Sequence, residues 1–263
     1  MLNGLICVIA AYGEVPMTQS VVRACSLELA PGHTVVVDNK GDYEAIGDEV
    51  VLSRGQKLGW LGGSNVGMAH AFEVLHASAV VLMNNDVTLS RGFFAGMAAA
   101  AASSEQVGVV APCYDDSFKS QHRYWTGPAA RFPAQQRDEE VRLVDGTSML
   151  ITRRCHELVG PLDALHFGRY GWGATADYCA RTSAVGLKVL VTRRAYLNHA
   201  RAVTAGALSN RYYSDAEAEM EAGLCAKYGP DWRHSLGYGR DGSGTGTLLD
   251  RAYYAVRRLS RRC

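Results

Sequence analysis

The chain has 263 residues, 48% of them hydrophobic and 20% charged, the balance of a globular protein with a full core rather than of a disordered or fibrous one. Its formal net charge is +1, with 27 Lys and Arg against 26 Asp and Glu, which excludes a global drive toward nucleic acid or anionic lipid. No apolar run approaches the roughly 18 residues of a membrane span, and the seven cysteines form no Cys-x-x-Cys pair, so neither a zinc site nor a disulfide framework is indicated.

The first stretch, "MLNGLICVIAAYGEV", is apolar but lacks a basic leader and a small-residue cleavage site. It reads as a first core strand rather than a signal peptide, and a cytoplasmic location is the expectation. Strands are expected at "LICVIAAY", "HTVVVDN", "EVVLSR", "AVVLMNND" and "VGVVAP". Between them, "MTQSVVRACSLELA" and "SNVGMAHAFEVLHA" place apolar residues at helical spacing, and "GFFAGMAAAAAS" consists of good helix formers. This alternation over residues 1–110 predicts crossover units on a mostly parallel sheet, a nucleotide-binding α/β half.

After Pro112 the polar segment "CYDDSFKSQHRYWTGPAARFPAQQRDEEVR" predicts a long active-site loop or a hairpin excursion. Two strand-like runs then flank Asp145-Gly146 in "VRLVDGTSMLITRR", "CHELVG" comes next, and "YCARTSAVGLKVLVT" reads as a helix turning at Gly186 into a strand. "SDAEAEMEAGLCAKYG" is a further helix, and "GYGRDGSGTG" a flexible linker. In the terminal helix candidate, Leu248, Leu249, Ala252, Tyr253, Val256 and Leu259 oppose Arg251, Arg257, Arg258, Arg261 and Arg262. A helix of this kind suits peripheral contact with an anionic membrane through residues 248–262, or packing on the domain or on a second subunit of a homodimer.

Open parallel sheets bind ligands beyond the carboxyl ends of their strands. Here those ends are polar: Ala11-Tyr12 after the first strand, Asp38-Asn39 after the second, Asn84-Asn85-Asp86 after the fourth. A carboxylate such as Asp86 at that place suits a hard divalent cation, which takes oxygen ligands and leaves positions for substrate phosphates. Its structural alternative is to cap the next helix or to close a turn with Asn85. "KLGWLGGSNVGMAHAF" is a second signal, because Gly59, Gly62, Gly63 and Gly67 leading into a helix permit close approach of backbone to a ligand. It is neither a P-loop nor a dinucleotide fingerprint.

The motifs "VVVDN", "LGWLGGSNVG", "VVLMNND", "VDGTSMLITRR", "VGPLD", "DYCARTSAVGLKVLV" and "LNHA" succeed one another over roughly residues 4 to 201. In this order they resemble the family 2 glycosyltransferases, above all the bacterial rhamnosyltransferase-like branch. The resemblance implies the GT-A fold, an α/β architecture with a Rossmann-like, mostly parallel central sheet flanked by helices. It places a catalytic domain at 1–205, with a nucleotide-binding half at 1–110 and an acceptor half at 111–205, and a C-terminal helical extension with its linker at 206–263. It further implies a UDP-, dTDP- or GDP-linked sugar donor, a hydroxyl acceptor on a glycan, lipid-linked or other molecule, and Mg or Mn as cofactor. Polysaccharide biosynthesis in the cytoplasm, at the inner membrane surface where the acceptor is lipid-linked, is the corresponding setting.

Position by position, Asp38 matches the acid that contacts the base or ribose, and Asp86 the last residue of the metal-binding D-x-D motif, with Asn84 and Asn85 before it. His199 matches a histidine that holds the metal or diphosphate. Asp145, Gly146 and Thr147 fall where donor sugar and acceptor are lined, and Ala11, Tyr12, Lys57, Gly62, Gly63, Asn65 and Trp172 complete the expected nucleotide-sugar set. Arg201, Arg211, Tyr212 and Tyr213 are candidates for further diphosphate contacts. On the residues alone, Asp145 can instead shape a turn and His199 can be a core histidine.

One departure stands out. The family carries Glu-Asp-x-Asp-Leu-Cys at the start of a helix, one carboxylate of which deprotonates the acceptor, whereas "YGWGATADYCAR" has Ala174 and Thr175 in place of the first two acids. Asp177 is the acid that remains, and Asp163, with His166, in "PLDALHF" is a substitute. An inverting transfer is the expectation, with a retaining mechanism as the other route. Two other classes stay open: a GT-A-like nucleotidyltransferase, against which "IAAYGEVPMTQS" shows no G-x-G-T-R loop, and a catalytically degenerate sugar-nucleotide-binding protein.

Overall fold

A computed structural model of the chain describes residues 4–52, 55–115, 121, 125–200 and 211–237. In chain order the elements are β1 (Leu5–Ala11), α1 (Val15–Ser26), β2 (Thr34–Asp38), β3 (Val50–Leu52), α2 (Gly59–Ala69), β4 (Ala79–Met83), β5 (Val87–Leu89) and α3 (Phe93–Ala101). Then come β6 (Val107–Tyr114), β7 (Asp138–Val141), β8 (Ser148–Thr152), α4 (Arg153–Val159), α5 (Ala164–Phe167), α6 (Ala174–Ala184), β9 (Lys188–His199), α7 (Tyr212–Tyr228) and α8 (Trp232–Ser235). A π-helical turn, His70–Val74, continues α2.

The strands form one sheet in the order β3-β2-β1-β4-β8-β6-β9-β5, with β7 also pairing β9. β3, β2, β1 and β4 are all parallel, as the strand–helix alternation predicts. The second half mixes directions, because β8 runs antiparallel between β4 and β6. The two runs about Asp145 therefore do not make a hairpin. Only Val141 of the first run is strand, as the last residue of an edge strand, β7, that pairs β9, while β8 enters the middle of the sheet.

Strand alternation divides the core into two layers. Ile6, Val8, Val35, Val37, Val80, Leu82 and Ile151 face α2, α6 and α7, whereas Cys7, Ile9, Val36, Val81, Met83 and Leu150 face α1 and α3. Burial on both faces explains why β1 and β4 read as continuous apolar runs. The extension predicted at 206–263 contributes to the first layer, since Leu224 and Trp232 are fully buried there. The linker, the basic terminal helix candidate and Arg201 lie outside the described residues. Among the described residues no helix is long and apolar enough to cross a membrane.

α2 begins at Gly59, so the glycine-rich stretch is helix rather than the expected turn before a helix. Packing is the reason. A Cβ on Gly67 would overlap Val8 Cγ1, and one on Gly63 would come within 3.1 Å of Ala10 Cβ and of Asn39 Nδ2.

Candidate active site

β1 is flanked by β2 on one side and β4 on the other, so the chain reverses its direction of travel across the sheet there. The crevice outside the carboxyl ends of β1 and β4 is the place where such sheets bind ligands. Ala11 and Tyr12 lie on it from β1, and Asn84, Asn85 and Asp86 from β4. Because β8 is antiparallel and pairs Ser148 with Met83, its first residues meet the last of β4, and the Asn84 amide donates to the Thr147 carbonyl at 2.9 Å. Asp145, Gly146 and Thr147 thereby join the same rim. The ends of β6 and β9 complete it with Tyr114, Asp115 and His199.

β5 explains why Asp86 comes so abruptly after a buried strand. Val87 pairs antiparallel with His199, and the Ala200 amide donates to the Asp86 carbonyl at 2.9 Å. This register sets the Asp86 carboxylate 3.1 Å from His199 Nε2. Asn84 Nδ2 lies 3.4 Å from the same nitrogen, and Asn84 Oδ1 is buried with no hydrogen-bond partner among the described residues. The Asp115 carboxylate accepts from the His199 amide at 3.1 Å and from Asn198 Nδ2 at 2.9 Å, fixing the end of β9.

This arrangement fits a hard divalent cation. Two ligands about 2.1 Å from an octahedral ion and at right angles stand about 3 Å apart, which is the Asp86–His199 separation observed. The orphaned Asn84 oxygen is a further ligand of suitable chemistry. Two or three protein ligands with the rest from water and phosphate is the ordinary pattern for Mg-type sites. Among the described residues no cluster of three or more His, Cys, Asp or Glu side chains offers an all-protein cage.

Asp145 is held differently. Its Oδ2 accepts from Thr147 Oγ1 at 2.6 Å and from the Tyr114 hydroxyl at 3.2 Å, while its amide donates to Gln121 Oε1 at 2.6 Å. Next to it, a Cβ on Gly146 would meet Thr175 Cγ2 at 2.7 Å and the Trp60 ring at 3.0 Å. Trp172 packs edge-on to Tyr213 with ring centroids 6.0 Å apart, and Tyr212 meets Tyr170 at 5.4 Å. α7 thus brings an aromatic group to the start of α6. Arg211 stands exposed just before α7.

Several residues predicted for the site have other work. Asp38 is buried, and its carboxylate accepts from the amides of Lys40, Gly41 and Tyr43 at 3.2, 2.7 and 3.1 Å, so it builds the turn that floors the crevice. Lys57 is exposed, its backbone tied to the Asn39 carbonyl. Asn85 turns away from the crevice to donate to Thr18 Oγ1, and Asn65 makes two hydrogen bonds to the backbone of Leu162. Gly62 and Gly63 lie within α2, where Gly63 packs on β1.

The two predicted bases depart most from expectation. Asp177 is fully buried; Lys227 and the Tyr228 hydroxyl reach its Oδ1 at 2.5 and 2.7 Å, and Arg181 its Oδ2 at 2.8 Å. Burial and that carboxylate together push the Tyr228 phenol far above its usual range. Asp163 caps α5 and binds Lys227 at 2.6 Å and His166 Nδ1 at 2.8 Å. Burial alone would raise its pKa, but the hydrogen bonds from Lys227 and His166 win and hold the carboxyl well below the usual range. Both acids are anchors of α6 and α7, not groups open to an acceptor. Ala174, where the first missing acid would stand, is itself fully buried. Sequence reading missed Asp115, Tyr114 and Gln121, although "CYDDS" ends a strand on acids as "MNND" does.

No protein-family model matches the sequence. Among solved structures, the chain is similar to GalNAc-T7 with UDP, GalNAc and Mn2+, with a TM-score of 0.56 at 11% identity, covering 89% of this chain and 54% of that one. It thus spans about half the length of that protein. It is also similar to the mannosyltransferase PcManGT from Pyrobaculum calidifontis in complex with GDP-Man and Mn2+, with a TM-score of 0.50 at 12% identity, covering 99% of this chain and 81% of that one. The fold is GT-A.

In sequence, the chain is 33% identical over 242 residues to Uncharacterized protein Rv1525 and Uncharacterized protein MT1576 of Mycobacterium tuberculosis and to Uncharacterized protein Mb1552 of Mycobacterium bovis. The match covers 91% of this chain and 90% of each relative. The chain belongs to the family of these mycobacterial proteins.

Proposed function

We propose that this protein is a family 2 glycosyltransferase of the rhamnosyltransferase-like branch, moving a sugar from a UDP-, dTDP- or GDP-linked donor to a hydroxyl acceptor with Mn or Mg. The observation that carries the reading is the Asp86–His199 pair, 3.1 Å apart beside the orphaned Asn84 oxygen at the switch point of the sheet. Both GT-A structures named above were solved with Mn2+, one with UDP and GalNAc and one with GDP-Man, which supports a nucleotide-sugar donor.

A divalent cation bound there would neutralise the charge that develops on the departing diphosphate. Asp86 and His199 would hold it, with Asn84 beside them. Asp115 holds the backbone of His199, and Asp38 shapes the turn below the nucleotide. Synthesis of a surface or lipid-linked polysaccharide in the cytoplasm is the setting we propose, with the acceptor entering over the Trp172 and Tyr213 rings.

The test is thermal stabilisation and donor hydrolysis across UDP-, GDP- and dTDP-sugars with and without Mn2+. One donor is expected to stabilise the protein in the presence of metal, and Asp86→Ala and His199→Ala should each lose that response while keeping the metal-free melting temperature within a few degrees. A response independent of metal, or one that survives both substitutions, would remove the proposed site. A second reading, a sugar-nucleotide-binding protein without transfer activity, draws on the buried Ala174 and the fully engaged Asp177. Metal-dependent donor binding with no turnover would favour it.

A further inference from the structure

We propose that Asp145 is the general base of this protein, replacing the acids absent at Ala174 and Thr175. The inference rests on the glycosyltransferase reading above. Four observations carry it. Asp145 lies on the rim of the crevice, because the Thr147 carbonyl two residues on binds the Asn84 amide at the end of β4. It is adjacent to the position the missing acid would occupy, since Gly146 packs against Thr175 and Trp60. Asp145 is thus one residue, about 3.8 Å along the backbone, from a contact with the Thr175 side chain.

The manner of its fixation is the third. A carboxylate that shapes a turn accepts backbone amides, as Asp38 does with three of them. Asp145 accepts none among the described residues; two hydroxyls, from Thr147 on its own turn and Tyr114 on β6, hold Oδ2 alone. Oδ1 is left without a donor among the described residues, on a side chain that is partly exposed. One oxygen anchored and the other open is the geometry of a carboxylate oriented to accept a proton. Fourth, the two carboxylates suggested for the task are occupied, Asp163 by Lys227 and His166, and Asp177 by Lys227, Tyr228 and Arg181.

In the transfer step the acceptor hydroxyl oxygen forms a bond to the anomeric carbon while its proton passes to Asp145 Oδ1. The bond from that carbon to the β-phosphate oxygen breaks, and its electron pair leaves with the nucleoside diphosphate. Asp145 then returns the proton to solvent. When water is the acceptor the same step is donor hydrolysis. Tyr114 and Thr147 are positioning residues, acting through the carboxylate they hold.

The test compares wild type, Asp145→Asn, Asp145→Ala and Tyr114→Phe with the donor panel and Mn2+, reading donor stabilisation and turnover separately. The expected result is that Asp145→Asn keeps metal-dependent donor stabilisation and turns over on the order of 100-fold more slowly or worse, the usual range for a lost general base. Added formate should restore part of the turnover to Asp145→Ala, which a structural role would not produce. Tyr114→Phe should lower kcat with donor KM unchanged, and it carries the test if the Asp145 variants fail to fold. Turnover by Asp145→Asn within a few-fold of wild type, or Tyr114→Phe indistinguishable from wild type when the Asp145 variants do not fold, overturns the proposal. If wild type binds no donor at all, the glycosyltransferase reading fails and takes this inference with it. Donor bound by every variant, with loss of turnover in none, refutes the base alone.

Discussion

Asp38 and Asp86 both end buried strands, yet Asp38 has three amides on its carboxylate and Asp86 faces a histidine from the opposite half of the chain. The difference lies in the path of the backbone just beyond each strand. After β2 it folds over its own acid, whereas after β4 it runs straight into β5 and is held to β9. A one-dimensional reading sees a carboxylate at a strand end in both cases; the family resemblance assigns Asp38 to the base or ribose and Asp86 to the metal, but the three amides on Asp38 are visible only in the folded backbone. Asp163 and Asp177 were likewise visible as acids near the expected motif. What the sequence did not reveal was Lys227, which arrives on α7 to bridge them. The depressed pKa of Asp163 gives a pH test with a definite sign. Its folded value lies below the unfolded value of about 3.9, so its contribution is complete above that value and lost as pH falls through the folded one. Asp163→Asn is expected to melt below wild type at pH 7, with the gap narrowing below about pH 4; calorimetry across that range checks it, and a gap that widens on acidification would be incompatible with the anchoring role.

At the scale of elements, α2 shows how glycines that suggest a ligand loop can serve packing. Gly67 allows the helix to lie directly on β1, and Val8, opposite it, is a stiff β-branched side chain that cannot swing aside. Gly67→Ala should gain about 1 kcal/mol in helix propensity and lose about 1–3 kcal/mol to overpacking, so a net loss of stability is expected. Combining it with Val8→Ala should cost less than the sum of the two single changes, measured by urea denaturation. The strands and helices of the first half were legible because both faces of the sheet are buried there and each run is long and apolar. β5 and β7 were not, since each is short and on an edge where pairing with β9, rather than local pattern, makes the strand.

At the scale of the whole molecule, α7 and α8 share the core of the sheet and its helices. Trp232 of α8 is fully buried in the layer that also holds Leu61 of α2 and Tyr178 of α6. Trp232→Ala should therefore cost about 3–5 kcal/mol, as a core substitution does, and the unfolding transition should stay single; an independent second transition would mark α7 and α8 as separable. The central position of β8 has a consequence for how the chain is made. β4 is fully buried in the finished sheet, and so is β6, yet the strand between them is the eighth to be synthesised and β9, the other neighbour of β6, comes later still. Until Ser148–Thr152 has left the ribosome, β4 shows one unpaired edge and β6 two, each a template for a neighbouring chain. The pairing of β8 closes the gap between β4 and β6, and the second edge of β6 stays open until β9 follows, so the nascent chain carries an exposed strand edge until residue 199 has been made.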